Sequence, residues 1–459
     1  MKHVLLDPGM LPSNQLSDIF DRFSEKNNLT LLTNKGSESK VLKSNIYSKI
    51  LYYEDFKLIF QNQKLKKEYL SKYTDILNDV LNDHRTLLIA ERVNKIIAWN
   101  SLFSITSTIE KIVYNSLFYF QENKIDYILF QATPHNLPNW VLSKVAEYLG
   151  IPVRMIQTSP LPWRYWIVEG LDIQKPVFPK TFPVNEFDTY LSKTYIKLNQ
   201  ADYNNALPEY EKKRLDQSKG KFWSWSKELH KVIKNPKFLI YLPTKYNLYR
   251  LYSKLSIAPS LSKKYIIFFL HFQPERTSMP EGLAFSNQWL IIRMISNTLP
   301  KGWRLLVKEH PSIYTNHLDF RYRNSKLYKD INSLHNVELI NLSFDTFKLI
   351  DNSQGIATIT GTVGVQALIR NKPVLTFGVA SYRNIKNVYS IQSNNDLILA
   401  FNKIMEYVQE DNFNKLNEIN KKTISGINKE IFEENNFYKA EYRIIGHLKL
   451  IKLLLETNQ

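Results

Sequence analysis

Short apolar runs separated by amphipathic stretches set the rhythm of the first 160 residues. Residues 2–6 (KHVLL), 28–33 (NLTLLT), 126–130 (DYILF) and 152–156 (PVRMI) each group several apolar positions, the pattern of strands buried on both faces. Between them, 55–82 and 99–122 carry apolar and aromatic residues at helical spacing, and 138–149 predicts a further helix. Strands alternating with helices predict a parallel, doubly wound sheet. From about 185 to 255 the pattern changes to a Lys-, Tyr- and Trp-rich segment that reads as a helical insertion and linker. A second alternating run then begins with strand 264–272 (KYIIFFLHF) and helix 285–299. It continues through a strand ending near 308, strand 337–341, helix 344–352, strand 355–359, helix 363–370 and strand 373–377. Residues 395–459 are mostly helical in pattern. The predicted fold class is α/β, with two Rossmann-like domains, a helical insertion and a helical C-terminus. The predicted boundaries are 1–184, 185–258, 259–430 and 431–459, with a cleft between the two Rossmann-like halves.

At 459 residues the chain has length for two or three domains with full-sized cores. Its 44% hydrophobic and 23% charged residues are ordinary for a soluble globular protein, and no run approaches the apolar length of a membrane span. The opening MKHVLLDPGM has too short an apolar segment for a signal peptide, so the expected location is cytoplasmic. With no cysteine, disulfides and thiolate metal sites are excluded. A net charge of +18 favours anionic partners such as nucleotides or anionic lipid; no nucleic-acid reader motif accompanies it, and no nucleic acid is expected. In KFWSWSKELHKVIKNPKF (221–238) basic and aromatic residues interleave, which suits a membrane surface or a sugar acceptor. The same pattern also suits a helical layer bridging two domains, with its aromatics in the core.

Three segments carry candidate chemistry. GWRLLVKEHP (302–311) reads as a buried strand that Pro311 ends; strict alternation would set Lys308 and His310 on one face and Glu309 on the other. A cation and an imidazole at the C-terminal edge of a sheet suit a phosphate, although a lone Lys-x-His also reads as a surface lysine and a histidine bonded to a loop carbonyl. GIATITGTVGVQALIRNKPVLTFG (355–378) reads as strand, tight turn, helix and strand, with Gly361 and Gly364 permitting close backbone approach and Thr360 and Thr362 adding hydroxyls. FQPERTSMPEG (272–282) follows the first strand of the second run and gathers Gln273, Glu275, Thr277 and Ser278 at the same edge.

In that order, FQPERTS, VKEHP and T-x-TGT-x-G-x-x-AL-x-x-NKPVLTFG resemble the capsule polysaccharide synthesis glycosyltransferases, a group that includes bacterial Kdo transferases. The resemblance covers about 262–385, with a looser match through IDYILFQATPHNLPNW (125–140). It implies a GT-B architecture, a nucleotide-sugar donor bound mainly by the second domain, and a C-terminal helix at 431–459 returning to the first. It implies transfer of a sugar such as Kdo to a glycan or lipid-linked acceptor; a peripheral position on an anionic membrane surface is expected from the basic and aromatic residues of 221–250 instead. An HP pair with a downstream hydroxyl motif is also a feature of bacterial sialyltransferases, so a CMP-sugar is favoured over a UDP-sugar. Carried over, Lys308 and His310 bind donor phosphate, and Thr360, Gly361 and Thr362 hold phosphate or nucleoside. Gln273 and Glu275 line the donor pocket. Gln366 stands where relatives often have a Glu suited to ribose hydroxyls.

The acid–base residue has three candidates in the first half. His135 follows the buried strand in TPH, Asp7 follows the first strand, and Glu169 precedes Gly170 in an EG pair similar to the acidic motif of sialyltransferases. No Asp-x-Asp motif is present, so neither metal nor cofactor is expected beside the nucleotide-sugar substrate. Three other functions compete. A teichoic-acid-type glycerophosphotransferase typically has an acidic residue after its Ser-rich motif, which 360–366 lacks. A non-hydrolysing nucleotide-sugar epimerase needs further acids in the cleft. A non-catalytic membrane- or polysaccharide-binding protein would turn over no nucleotide sugar.

Overall fold

The strand Lys2–Asp7 (β1) sends Leu5 to one face of a sheet and Val4 and Leu6 to the other, and all three are buried. That two-sided burial is why the segment reads as a continuous apolar run. In the computed structural model, the described residues are 2–9, 11, 18–19, 22, 27–34, 50–57, 64–93, 102–172, 174–178, 182–201, 223, 225–234, 236–315, 322–408, 419–427, 429–433 and 439–457. The chain divides into two units: unit 1 is 1–184, 420–432 and 439–459, and unit 2 is 185–419 and 433–438.

In unit 1, β1 pairs in parallel with Asn27–Thr33 (β2) on one side and with Tyr127–Phe130 (β4) on the other. Ile50–Tyr52 (β3) extends the β2 side, and Val153–Thr158 (β5) and Arg164–Glu169 (β6) extend the β4 side. The chain thus winds outward from β1 in one direction, then returns to wind outward in the other, and the point of reversal lies between β1 and β4. Helices Lys67–Asn82 (α1), His84–Val93 (α2), Leu102–Glu122 (α3) and Leu137–Tyr148 (α4) lie on the Leu5 side: Ile76, Ile112, Val113 and Val141 share its core. On the other face the C-terminal helix, Ala440–Thr457, packs Leu450, Ile451 and Leu454 against Val4, Leu6 and Leu129.

Three features depart from the expected pattern. The helix expected over 55–82 begins at Lys67; Asp55–Lys57 is a separate short turn of helix and 58–63 lie outside the described residues. The sheet is not wholly parallel, because β6 runs antiparallel to β5 and pairs with Lys175–Pro176 (β7). Only residues 159–163 connect β5 to β6, too few for the crossover that a parallel strand needs. The return of the chain to unit 1 starts at Asn420, earlier than the boundary read at 431. The buried Arg164 fastens it: Nε donates to Thr423 Oγ1 (3.0 Å), and Nη2 bonds the carbonyls of Asn420 and Thr423.

Among the described residues, unit 2 contains six parallel strands, Tyr265–Phe269 (β8), Arg304–Lys308 (β9), Val337–Ile340 (β10), Gly355–Thr358 (β11), Val374–Thr376 (β12) and Val388–Ser390 (β13). Their order is β10-β9-β8-β11-β12-β13, so here the reversal lies between β8 and β11. Among the described residues, its α-helices of six or more residues are Glu186–Gln200 (α5), Trp225–Lys234 (α6), Leu242–Leu255 (α7), Gln288–Thr298 (α8), Ser325–Ser333 (α9), Thr346–Asp351 (α10), Val363–Ile369 (α11) and Asn394–Met405 (α12). Ile291 and Ile295 of α8 and Leu397 and Phe401 of α12 join Phe268, Leu305 and Val307 in one core. The segment read as insertion and linker belongs to this unit, since Leu248 and Tyr252 of α7 lie in the same core. Its residues 202–222 lie outside the described residues. Among the described residues, no helix is long and apolar enough to cross a membrane.

Gly446 of the C-terminal helix abuts the buried Tyr165 ring so closely that a Cβ there would lie 2.2 Å from Tyr165 Cε2. Gly446→Ala should therefore lower stability by about 1–3 kcal/mol through overpacking. Urea unfolding should show the midpoint falling at unchanged slope, and Tyr165→Leu in the Gly446→Ala background should recover part of the loss.

Candidate functional site

In open α/β sheets the crevice beyond the C-terminal ends of the strands, at the point where winding reverses, is left uncovered by crossovers and receives ligands. In unit 2 that crevice is bordered by the segments after β8 and β11. His271, two residues past β8, has Nε2 2.9 Å from Thr358 Oγ1, and the same nitrogen accepts the Ile359 N–H at 3.1 Å. These bonds assign its proton to Nδ1. Burial, followed by the nearby His310 and Arg323, pushes the His271 pKa down to about 3, so the ring stays neutral. The Gly361 N–H donates to Thr358 Oγ1 at 3.1 Å, and a Cβ on Gly361 would lie 3.2 Å from His271 Nε2. Thr360 Oγ1 donates to the Thr277 carbonyl (2.7 Å) and the Tyr382 hydroxyl to the Gly361 carbonyl (2.6 Å). The TGTVG turn is thereby clasped between the segment after β8 and the segment after β12.

A buried ion pair locks the neighbouring loops. Arg323 Nε donates to Glu309 Oε2 (2.6 Å) and Nη2 to Glu309 Oε1 (3.0 Å), with both side chains out of water. The Tyr328 hydroxyl and the His310 N–H complete the carboxylate, at 2.7 and 2.8 Å. The guanidinium also reaches the His271 carbonyl (2.8 Å) and Gln273 Oε1 (3.2 Å).

This arrangement changes the roles of several residues expected at the site. Strand β9 ends at Lys308, so alternation does not carry through to His310. The Lys308 ammonium turns inward and donates to the Phe344 carbonyl (2.7 Å) and Thr346 Oγ1 (2.9 Å), holding the turn before α10. Burial lowers its pKa to about 8 against a small opposing pull from Asp345. His310 rests on the Phe272 ring at 5.7 Å, and its Nδ1 accepts the Ser312 N–H at 3.2 Å, which leaves the proton on Nε2. Gln273 does not line an open pocket: its amide nitrogen bonds the Ser286 carbonyl (2.9 Å), and its oxygen receives Gln288 Nε2 (2.8 Å) as well as Arg323. Glu275 is exposed and accepts from Thr277 Oγ1 at 3.4 Å. Thr362 is exposed just ahead of α11, and no described residue bonds the amide of the buried Gln366. His271, Tyr382 and Arg323 escaped sequence reading. His271 lies one residue before the polar run, and nothing local marks Arg323 as the partner of a glutamate 14 positions earlier.

Unit 1 repeats the logic between β1 and β4. Asp7 ends β1, accepting the Tyr53 hydroxyl on Oδ2 (2.6 Å) and the Gly9 N–H on Oδ1 (2.8 Å). Burial raises its pKa, outweighing the opposing bonds from Tyr53, Gly9 and Asn139. A Cβ on Gly9 would lie 2.3 Å from Gln131 Oε1, so the segments after β1 and β4 pack tightly. His135 lies in the latter segment; its Nδ1 meets the Thr133 carbonyl at 2.8 Å, which makes Nε2 the basic nitrogen. Arg92 Nη1 holds the His135 carbonyl at 3.3 Å. Asn139, which bonds the Asn136 N–H at 2.8 Å to start α4, also reaches Asp7 and Tyr53.

Glu169 does not join this group. Because β6 is antiparallel, its last residue falls beside Arg154 at the beginning of β5, three strands from β1. There its carboxylate accepts Arg154 Nε at 3.0 Å, while the guanidinium lies over the Tyr127 ring. Among the described residues, no cluster of three or more His, Cys, Asp or Glu could hold a metal ion.

Residues 284–386 match the family model of the capsule polysaccharide biosynthesis protein. The matched segment contains the VKEHP and TGTVG sequences, and it bears out the resemblance to capsule synthesis proteins over the residues it covers. No curated protein matches the chain. Among solved structures, the chain is similar to the UDP-GlcNAc 2-epimerase from Neisseria meningitidis bound to UDP-GlcNAc (16% identity, all of both chains, TM-score 0.27). It is similar to Thermosulfurimonas dismutans KpsC, a beta Kdo 2,7 transferase (12% identity, 65% of this chain and 87% of that one, TM-score 0.27). It is also similar to the trehalose-6-phosphate synthase OtsA (9% identity, 99% of each chain, TM-score 0.32).

The Asp7 environment has a consequence for stability. Below the ordinary aspartate pKa of 3.8 the group is protonated in both folded and unfolded chains. As pH rises from there through the raised folded value, the unfolded chain loses its proton first, and stability falls. Asp7→Asn removes that slope while keeping one carbonyl acceptor. Its melting temperature relative to the native protein should rise with pH across this interval and stay higher at pH 7, as read by thermal unfolding at a series of pH values.

Proposed function

We propose that the chain is a metal-independent glycosyltransferase of capsule polysaccharide assembly, moving a sugar from a nucleotide donor to a glycan or lipid-linked acceptor. The observation that carries this reading is the clasped TGTVG turn beside two imidazoles of fixed tautomer, at the β8/β11 reversal point. Most of these groups fall within the capsule-type segment. On this reading, the His310 Nε2–H and the Thr362 hydroxyl bind donor phosphate, and the unpartnered Gln366 amide takes ribose hydroxyls. His271 keeps the turn closed. The donor read from the resemblance is a CMP-sugar such as CMP-Kdo. In unit 1, His135 Nε2 removes the proton of the acceptor hydroxyl, and Asp7 is the second acid–base candidate. The acceptor oxygen bonds to the anomeric carbon as the bond to phosphate breaks, and the leaving charge is met by imidazole and hydroxyl donors.

Thermal unfolding with CMP, UDP, GDP and CDP-glycerol should show one nucleotide raising the melting temperature, with CMP the expected one. Transfer from the matching nucleotide sugar should persist in excess EDTA. No stabilisation by any nucleotide would overturn the reading. Stabilisation by CDP-glycerol alone would make the protein a glycerophosphotransferase, and acceptor-independent turnover of UDP-GlcNAc would make it an epimerase.

His310→Ala should weaken the nucleotide by about tenfold to hundredfold, the loss expected for a hydrogen bond to a charged phosphate, as read by isothermal titration. His135→Ala should lower kcat by about 10²–10⁴ with donor affinity unchanged, as read by steady-state kinetics beside titration with the donor.

A further inference from the structure

Helix α6 is folded inside out. Trp225, Leu229 and Ile233 recur every fourth residue and so form one stripe along the helix. That stripe is the outer face: the three residues are 49%, 52% and 77% exposed, and Leu239 and Ile240, just beyond the helix, are 59% and 72% exposed. The acidic side chain of the helix points inward instead. The buried Glu228 receives Lys231 Nζ (2.7 Å) and Lys245 Nζ of α7 (2.9 Å). Lys245 itself lies over the Trp223 ring at 5.6 Å, and burial lowers its pKa to about 8. A helix that faced only water would present the opposite sides.

Charge identifies what covers the stripe. Between Trp225 and Leu255 there are seven Lys and Arg residues and a single acidic one, Glu228, which is already neutralised within the fold. Lys234, Arg250 and Lys254 remain exposed, and no carboxylate of this segment faces outward beside them. An apolar ridge among cations complements an anionic lipid surface, where each cation near the headgroups and each inserted side chain adds to affinity. The chain's net charge of +18 draws it toward the same surface from a distance. We propose that Trp225, Leu229, Ile233, Leu239 and Ile240 insert into the interface of an anionic bilayer, so that the protein lies on the membrane without spanning it. The ridge shares no residue with the β8/β11 crevice, and the proposal is independent of the activity proposed for that crevice.

The test is sedimentation of the full chain with vesicles of phosphatidylcholine, alone or mixed with phosphatidylglycerol. The expected result is partition onto the mixed vesicles, weakened by salt, and at least about tenfold lower in the double variant Leu229→Ser, Ile233→Ser. Leu70→Ser, at an exposed leucine of unit 1, should leave partition unchanged. Circular dichroism and nucleotide-induced stabilisation, both unaltered in the double variant, show that the fold and the nucleotide site are intact. Negligible binding to both vesicle types would overturn the proposal, as would partition that the double substitution leaves untouched. A native oligomer that the double substitution dissolves, with no vesicle binding, would reassign the ridge to contacts between copies of this chain.

Discussion

The buried Glu309–Arg323 pair sets the geometry of unit 2 beyond the C-terminal ends of its strands. Removing two charges from water costs several kcal/mol per ion, and their mutual attraction offsets this only when every remaining lone pair and N–H is met. Here the carboxylate is completed by Tyr328 and the His310 N–H, and the guanidinium by the His271 carbonyl and Gln273. The segment after β8 and the segment after β9 are thus held by one cation and one anion. The Glu309 N–H meets the Tyr252 hydroxyl (3.0 Å), which in turn donates to the Ile340 carbonyl (2.6 Å), so the end of β10 is tied in as well. Burial raises the pKa of Tyr252 and Tyr328, which keeps both hydroxyls protonated. Such a network contributes more to a single loop geometry than to overall stability, because an apolar replacement of the whole pair is often neutral.

Engagement of the cations within the fold changes how a phosphate would be recognised. The cations Arg276, Lys308 and Arg323 all lie in or beside the loops at this edge, and each is bonded to protein atoms. On the proposed reading, recognition falls to neutral donors of fixed direction: imidazole N–H groups, hydroxyls and backbone. Donors fixed beforehand in a partly dry site need little reorganisation as charge develops on a leaving phosphate. The excess positive charge of the chain is then available to surfaces elsewhere, among them the ridge of α6.

How much of this was legible depended on how local the cause was. Strands such as 126–130 and 355–359 stood out because burial on both faces leaves no polar position to interrupt the run. The crevice residues at the ends of β1 and β11 were legible for the same reason, since a polar residue directly after such a run must emerge at the sheet edge. Strand direction is different, because it depends on pairing. Nothing within RYWIVEG says that β6 runs backward, yet that direction alone moves Glu169 away from Asp7 and His135. Lys308 shows a second limit. Alternation predicts which face a side chain takes, but not whether a carbonyl such as that of Phe344, 36 residues on, waits there to engage it. The segment 221–238 of unit 2 was legible as interleaved basic and aromatic residues, whereas which face of α6 turns outward was set by the Glu228–Lys245 contact.

Both units end their founding strand in the same way. Asp7 closes β1 and His271 follows β8, and each stands where the sheet reverses its winding. The two groups titrate in opposite directions, the acid raised and the imidazole lowered, and in both cases burial is the largest cause. Desolvation disfavours whichever form carries charge, so burial shifts an acid upward and a base downward alike. An ionisable residue there is pushed toward its neutral form, in which it can donate or exchange a proton without carrying a buried charge. The position beyond the strand ends at each reversal is therefore also where burial shifts these two groups, and that coincidence follows from the winding order of the strands before any particular substrate is considered.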